Sequence, residues 1–571
     1  MRTTARPVVA VVLAALLGAV LTVIPPSGTA GQASAAVAAD FDAGNLVSDQ
    51  RFYDGGAMTA EQVQAFIDAR SRGCDAGYTC LDTYTQDTIA IAADAYCDAL
   101  PATTDESAAS IIARVGVACD ISQRFLLVLI QKEQTLVTLS NPSPVRYERA
   151  TGFACPDTSP CNSEFGGFYY QLYFAARQFN RYAALPQNYR HQVGQVNQIL
   201  YYPQVPANDC GTGPVLIRNL ATAGLYNYTP YQPNAAALAN LYGTGDACSS
   251  YGNRNTWRIW TDWFGDPTLE LPTAARVAGP DRYATSVAIS QRAFPAGAPV
   301  VYLASGENFP DGLAAGPAAA HQGGPVLLTP GGRAIQGVLD EITRLAPTRV
   351  VIVGDTPSVS AEVETAVRGL DPEREVLRLG GTDRFHTSRL IAEHAFESAS
   401  NAFVATGLKF PDALAAGPAA AVFDGPVILV HGAMAAPDEA TVATLQQLGV
   451  GWVGVVGDES SVSAGIASGL GAAAAEVERF AGADRFATAV QLAAVFGDVS
   501  TVYVASGLGF PDALAGAAAA GHQGAPMLLA RPECMPATTR SALLQRAPDD
   551  VIVLGGLPTL GEATARYVSC G

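Results

Sequence analysis

In the C-terminal half of the chain, apolar residues fall in short unbroken runs of β-formers separated by helical stretches. Between residues 372 and 473 the pattern predicts strands at Val376–Leu379, Ala402–Thr406, Val427–Val430 and Trp452–Val456. Helices are predicted between them at Asp383–Phe396, Pro411–Val422 and Asp438–Leu448. Strands apolar at every position, not at alternate ones, are those of a parallel sheet covered on both faces. The same layout occurs three times. Val301–Ala320, Ala402–Ala421 and Val502–Ala520 each run from a strand through a Gly turn and a Phe-Pro-Asp into a helix of Ala, Leu and Gly. Pro suits a first helical turn, and the Asp after it complements the helix dipole. Upstream stand Asp281-Arg282, Asp383-Arg384 and Asp484-Arg485, spaced by 102 and 101 residues. That period is the size of a domain, so three α/β modules are expected at 274–371, 372–473 and 474–571. Their nearly bare Ala-Gly helices would let a sister module approach closely.

Residues 40–270 follow a helical period instead. Thr59 and Gln62 form a capping-box pattern ahead of Val63, Phe66 and Ile67. Helices are expected over Asp105–Cys119 and Ser122–Ser140. In the second, Leu126, Leu129, Ile130, Leu136 and Val137 share a face with one acid, Glu133. Such a Glu either reaches solvent at the edge of the stripe or, desolvated, serves as a general acid. At the N-terminus, Arg2 and Arg6 precede the apolar run Val8–Ile24. Ala33-Ser34-Ala35 or Ala36-Val37-Ala38 then offers a small-residue cleavage site. Residues 1–38 are therefore expected to be a secretory signal peptide, leaving an exported protein with no membrane association after cleavage.

Composition narrows the partners. The 571 residues are 49% hydrophobic and 15% charged, and the formal charge is −18. Only two bases, Lys132 and Lys409, are lysines. This excludes nucleic acid and electrostatic docking on anionic lipid. Ten cysteines in an exported chain point to disulfides. Pairing of neighbours is expected: Cys74–Cys80, Cys97–Cys119, Cys155–Cys161, Cys210–Cys248 and Cys534–Cys570.

The Asp-Arg-[Tyr/Phe]-x-Thr and Phe-Pro-Asp-[Gly/Ala]-Leu-Ala signatures closely resemble those of the bacterial cell wall-binding repeat type 2 family. The resemblance implies α/β modules in a pseudo-threefold arrangement at a Gram-positive cell surface, holding an anionic wall polymer. From Arg276 onward, however, 18 bases face 29 acids. Anion binding would then be local, through Arg forks, helix N-termini or a bridging cation. Arg282, Arg384 and Arg485 are the candidate contacts. Their alternative is an internal pair with an Asp or a carbonyl.

Within residues 40–270, Glu133, Gly166 to Gln171, and Gly224-Leu225-Tyr226-Asn227-Tyr228 follow the motif order of the lysozyme-like lytic transglycosylases. Gln134 replaces the usual Ser, Gln171 lies one residue further from its Gly, and a Cys155–Cys161 loop is inserted. The resemblance implies a mainly helical, lysozyme-like domain with Glu133 as acid and then base. Gln171 would hold a sugar substituent, and Tyr226 and Asn227 would line the cleft. The expected substrate is peptidoglycan, cut between N-acetylmuramic acid and N-acetylglucosamine, with no cofactor or metal. The alternative is a non-catalytic surface protein. An N-acetylmuramoyl-L-alanine amidase is less favoured, because a zinc site needs several His and His191 is the only one before residue 300.

Overall fold

The computed structural model describes residues 35–156, 160–203 and 209–570. Residues 1–34 of the expected signal peptide lie outside them. Among the described residues no helix is long and apolar enough to cross a membrane.

The N-terminal domain is mainly helical. Its centre is the helix Gln123–Gln134, in which Phe125, Leu126, Leu127, Val128, Leu129 and Ile130 are buried. Around it stand helices Ala60–Arg70, Ala108–Ala118, Phe168–Ala184, Leu220–Tyr228 and Gly252–Phe264. Two antiparallel hairpins complete it: Thr85–Thr88 with Thr103–Ser107, and Val196–Leu200 with Thr212–Leu216. The Thr59/Gln62 capping box is formed. Two helices are shorter than expected. Ser107 caps the Ala108–Ala118 helix, so residues 103–107 are free to pair as a strand. Thr135 adopts φ 60° and ends the Gln123–Gln134 helix six residues before Ser140. Each cysteine is bonded to its neighbour in sequence, 74 to 80, 97 to 119, 155 to 161, 210 to 248 and 534 to 570.

The rest of the chain forms three sheets, each of four parallel strands. The first runs Val326–Thr329, Val300–Ser305, Arg349–Val353, Glu375–Leu379. The second runs Val427–Val430, Asn401–Thr406, Trp452–Val456, Glu476–Phe480. In both, the last strand comes from the segment that opens the next sequence repeat. Val376–Leu379, expected to begin the second module, therefore completes the first sheet, with Val353 opposite Leu379. The third sheet runs Met527–Ala530, Thr501–Ser506, Asp550–Leu554 and then back to Ala275–Val277, with Leu554 opposite Val277. The strand that opens the first repeat thus closes the third sheet, and the three modules form a ring.

The Ala-rich helices Ala315–His321, Pro411–Val422 and Pro511–His522 pack on one another at the centre of that ring. Small residues permit the approach: a Cβ added at Gly316 or Gly417 would lie 3.0 Å from the Ala517 methyl. At one end, the rings of Phe309, Phe410 and Phe510 meet pairwise at 5.6, 5.9 and 5.9 Å. One apolar cluster draws buried residues from all three modules, and a second lies almost wholly within the third.

The N-terminal domain is seated on the third module by buried polar contacts. Arg540 donates to the carbonyls of Tyr53 (2.7 Å) and Gln50 (2.8 Å) and lies 3.4 Å from Asp54. The Ser541 hydroxyl donates to Asp54 at 2.6 Å, and Arg51 donates to the Leu544 carbonyl at 3.1 Å. Burial raises the Asp54 carboxyl, with Arg540 and Ser541 acting against that rise.

Candidate functional site

Glu133 lies in the last turn of the Gln123–Gln134 helix. Its side chain is 28% exposed, whereas the preceding two turns are in the core. Oε1 is 2.7 Å from the Lys132 ammonium. The Lys132 side chain is only 5% exposed, and its Nζ also donates to Thr229 Oγ1 at 3.1 Å. The other oxygen faces Gly152: a Cβ there would stand 3.2 Å from Oε2. Gly152 has φ +72°, so the backbone passes the carboxylate in a conformation that side chains disfavour.

Gln171 and Tyr228 hold that loop in place. The Gln171 carbonyl accepts from the Thr151 and Phe153 N–H groups at 3.3 and 3.2 Å. Its amide donates to the Phe153 and Phe165 carbonyls at 3.0 and 2.8 Å. With 1% exposure and both ends of the amide engaged, Gln171 is not placed to grip a sugar; it shapes the loop beside Glu133. The Tyr228 hydroxyl donates to the Thr151 carbonyl at 2.9 Å. Burial first, and the nearby Glu133 charge second, hold that hydroxyl far above the ordinary tyrosine range.

Tyr226 and Asn227 are internal as well. Tyr226 is fully buried and donates to the Ala43 carbonyl at 3.0 Å. Asn227 accepts from the His191 N–H at 3.0 Å and donates to the His191 carbonyl at 2.9 Å. The expected cleft-lining pair is therefore scaffold, and Tyr228 is the aromatic neighbour of Glu133. Gly224 and Tyr228 are four residues apart and share the face that meets Phe179: a Cβ at Gly224 would stand 3.1 Å from the Phe179 ring, and Tyr228 stacks on it at 4.9 Å. Among the described residues no group of three or more His, Cys, Asp or Glu is gathered as a metal site would require.

In the ring, Arg282, Arg384 and Arg485 occupy equivalent positions at the module boundaries. Each donates Nη1 to the carbonyl of the glycine after a central strand: Gly306 at 2.6 Å, Gly407 at 2.8 Å and Gly507 at 2.7 Å. Each N-cap Asp before them, Asp281, Asp383 and Asp484, caps its own helix. The Phe-Pro-Asp aspartates lie close by. Asp311 accepts from Ser358 Oγ at 2.7 Å. Burial raises Asp412, against the influence of Ser461 and Arg485. Asp512 is pushed up to about 6 by burial, with Thr559 and Arg282 opposing. Arg485 thus acts on the preceding module, and Arg282, from the first repeat, on the third.

Three parallel-sheet modules carrying these signatures thus close into a ring. Residues 276–364, 378–467 and 479–564 match the family described as Cell wall binding domain 2, and the chain carries three tandem copies of that domain. The chain is 25% identical over 322 residues to N-acetylmuramoyl-L-alanine amidase LytC of Bacillus subtilis (strain 168), covering 55% of this chain and 63% of that protein. It is 26% identical over 273 residues to the Amidase enhancer of the same organism, covering 48% of this chain and 37% of that one. The chain thus spans less than two thirds of either relative. Among solved structures, Cwp6 from Clostridium difficile is similar at a TM-score of 0.48 and 25% identity, covering 52% of this chain and 47% of that chain. Cwp8 from Clostridium difficile is similar at a TM-score of 0.46 and 27% identity, covering 54% and 52%.

Proposed function

We propose that this is an exported, cell wall-associated protein of a Gram-positive bacterium whose three-module ring holds an anionic wall polymer. Its N-terminal domain, a lysozyme-like fold in this reading, would cleave the glycan strands of peptidoglycan. The observation that carries the catalytic part is the placement of Glu133. It is a partly exposed carboxylate in the last turn of a buried helix, with one oxygen held by Lys132 and the other facing a loop fixed by Gln171 and Tyr228. In this mechanism Glu133 Oε2 gives its proton to the oxygen between the two sugars. The C1–O bond breaks, and its electron pair leaves with that oxygen. The carboxylate, still paired with Lys132, then takes a proton from the incoming water or sugar hydroxyl as that oxygen bonds to C1. In the ring, the N–H groups of Arg282, Arg384 and Arg485 not turned to the glycine carbonyls are the proposed polymer contacts.

A second reading follows from the relatives' names: cleavage of the amide between glycan and stem peptide. Peptide-free glycan strands separate the two, because they contain glycosidic bonds and no such amide. Shortening of those strands by the purified protein, followed by mass spectrometry, supports Glu133 chemistry. Intact strands, together with stem peptides released from whole wall, would support the amidase reading.

A further inference from the structure

Ala36 is the first buried residue among those the structure describes. It is 7% exposed and lies against Leu241 and Trp257, while Ala35 before it is exposed. Its backbone nitrogen has two acceptors, Asp262 Oδ1 at 3.0 Å and the Tyr242 hydroxyl at 3.1 Å. The Tyr242 hydroxyl in turn donates to Asp262 Oδ1 at 2.7 Å, and Asp262 Oδ2 is 3.1 Å from Arg258 Nη1. A peptide nitrogen carries one hydrogen and cannot serve two acceptors well. An α-ammonium carries three and brings the positive charge that an Asp beside it favours.

We infer that Ala36 is the first residue of the processed protein, and that the Asp262–Tyr242 pair is a receptor for its α-ammonium. Processing would hydrolyse the Ala35–Ala36 peptide bond. Water supplies the oxygen of the new Ala35 carboxylate, and the released amine takes up a proton. The small residues Ala33 and Ala35 flank that bond on the leader side, as a signal-peptidase substrate requires. The other small-residue candidate, cleavage after Ala38, is disfavoured by the fold. That bond lies inside the turn of helix Ala38–Asp40, and cutting it would strip Ala36 from its apolar seat. Maturation then completes the fold, exchanging a poorly shared N–H for a charge-assisted pair that pins the N-terminus to the Gly252–Phe264 helix.

The test is the N-terminal peptide of the full chain secreted by a Gram-positive host, read by mass spectrometry. Ala36 is expected; Ala39, or a retained leader, overturns the inference. A second measurement isolates the ammonium. Protein beginning at Ser34 is compared with protein beginning at Ala36, alongside Asp262→Asn in the second form. The extension and the substitution should each lower the unfolding midpoint of the N-terminal domain by about 2–4 °C. Equal midpoints for the Ser34 and Ala36 forms would overturn the receptor role.

Discussion

The ring requires its three central helices to touch, and Gly521 is where all three meet. A Cβ there would stand 2.6 Å from the Ala421 methyl and 3.1 Å from the Ala320 methyl, each on a different sister module. Neither methyl has a rotamer to change, so relief must come from backbone movement. Carbon atoms pack best at about 3.5–4.0 Å, so two helices would have to retreat by about 1 Å. On an exposed helix, replacing Gly by Ala gains about 0.5–1 kcal/mol. Overpacking of a full core costs about 1–3 kcal/mol, and valine adds two further methyl groups at a position without room. Gly521→Val should therefore destabilise the ring by about 2–3 kcal/mol. Gly337→Ala, on a helix where nothing lies within 4 Å of the new Cβ, should instead stabilise it by up to about 1 kcal/mol. Urea unfolding with a pull-down on purified wall reads both effects. A Gly521→Val protein with the wild-type midpoint and wild-type wall binding would refute the packed-ring account.

Lys132→Met should reduce glycan-strand cleavage at least about tenfold while leaving wall binding unchanged, since it removes the cation that supports Glu133 after proton transfer; product release from soluble strands measures it. Arg540→Ala leaves Asp54 buried without its partner and should destabilise the interface between the N-terminal domain and the third module by about 3–5 kcal/mol. Calorimetry should then show two separated transitions. Acid should affect the two halves oppositely. Asp512, raised from 3.8 to about 6, holds its proton more tightly when folded, so its contribution is present below pH 3.8 and is lost as pH rises through 6. His191, lowered from 6.5 to about 4 by burial, is protonated first in the unfolded chain, so stability falls as pH drops from 6.5 toward 4. Hydrogen exchange at pH 7 and pH 5 should show the third module tightening and the His191 region loosening, with Asp512→Asn and His191→Gln each flattening one response.

The module strands are legible in the sequence because every residue of a run such as Val427–Val430 is buried, and no alternation competes with the signal. Their partners are not legible. Ala275–Val277 is three residues long and pairs with a strand near the other end of the chain, which no local period encodes. The same holds for Arg540 and Asp54, whose contact spans 486 positions. Glu133 could be singled out because an acid at helical spacing among Leu and Ile is conspicuous. Gln171 could not be assigned correctly, because a Gln beside a Gly-rich segment reads alike whether its amide faces a sugar or a loop backbone. Tyr226 and Tyr228 differ by two places on one short helix, and only the packing against Phe179 tells which one reaches the Glu133 loop.

Glu133→Gln keeps the shape of the side chain and removes only its transferable proton, so its action on purified wall is the most direct test. The unsubstituted protein should release soluble fragments with cut glycan strands, identified by mass spectrometry. The variant should release none, yet sediment with the wall as the unsubstituted protein does, because the three modules are unchanged. Fragment release by the variant at the unsubstituted rate would contradict the role given to Glu133, and loss of sedimentation would contradict the division between a cutting domain and a binding ring.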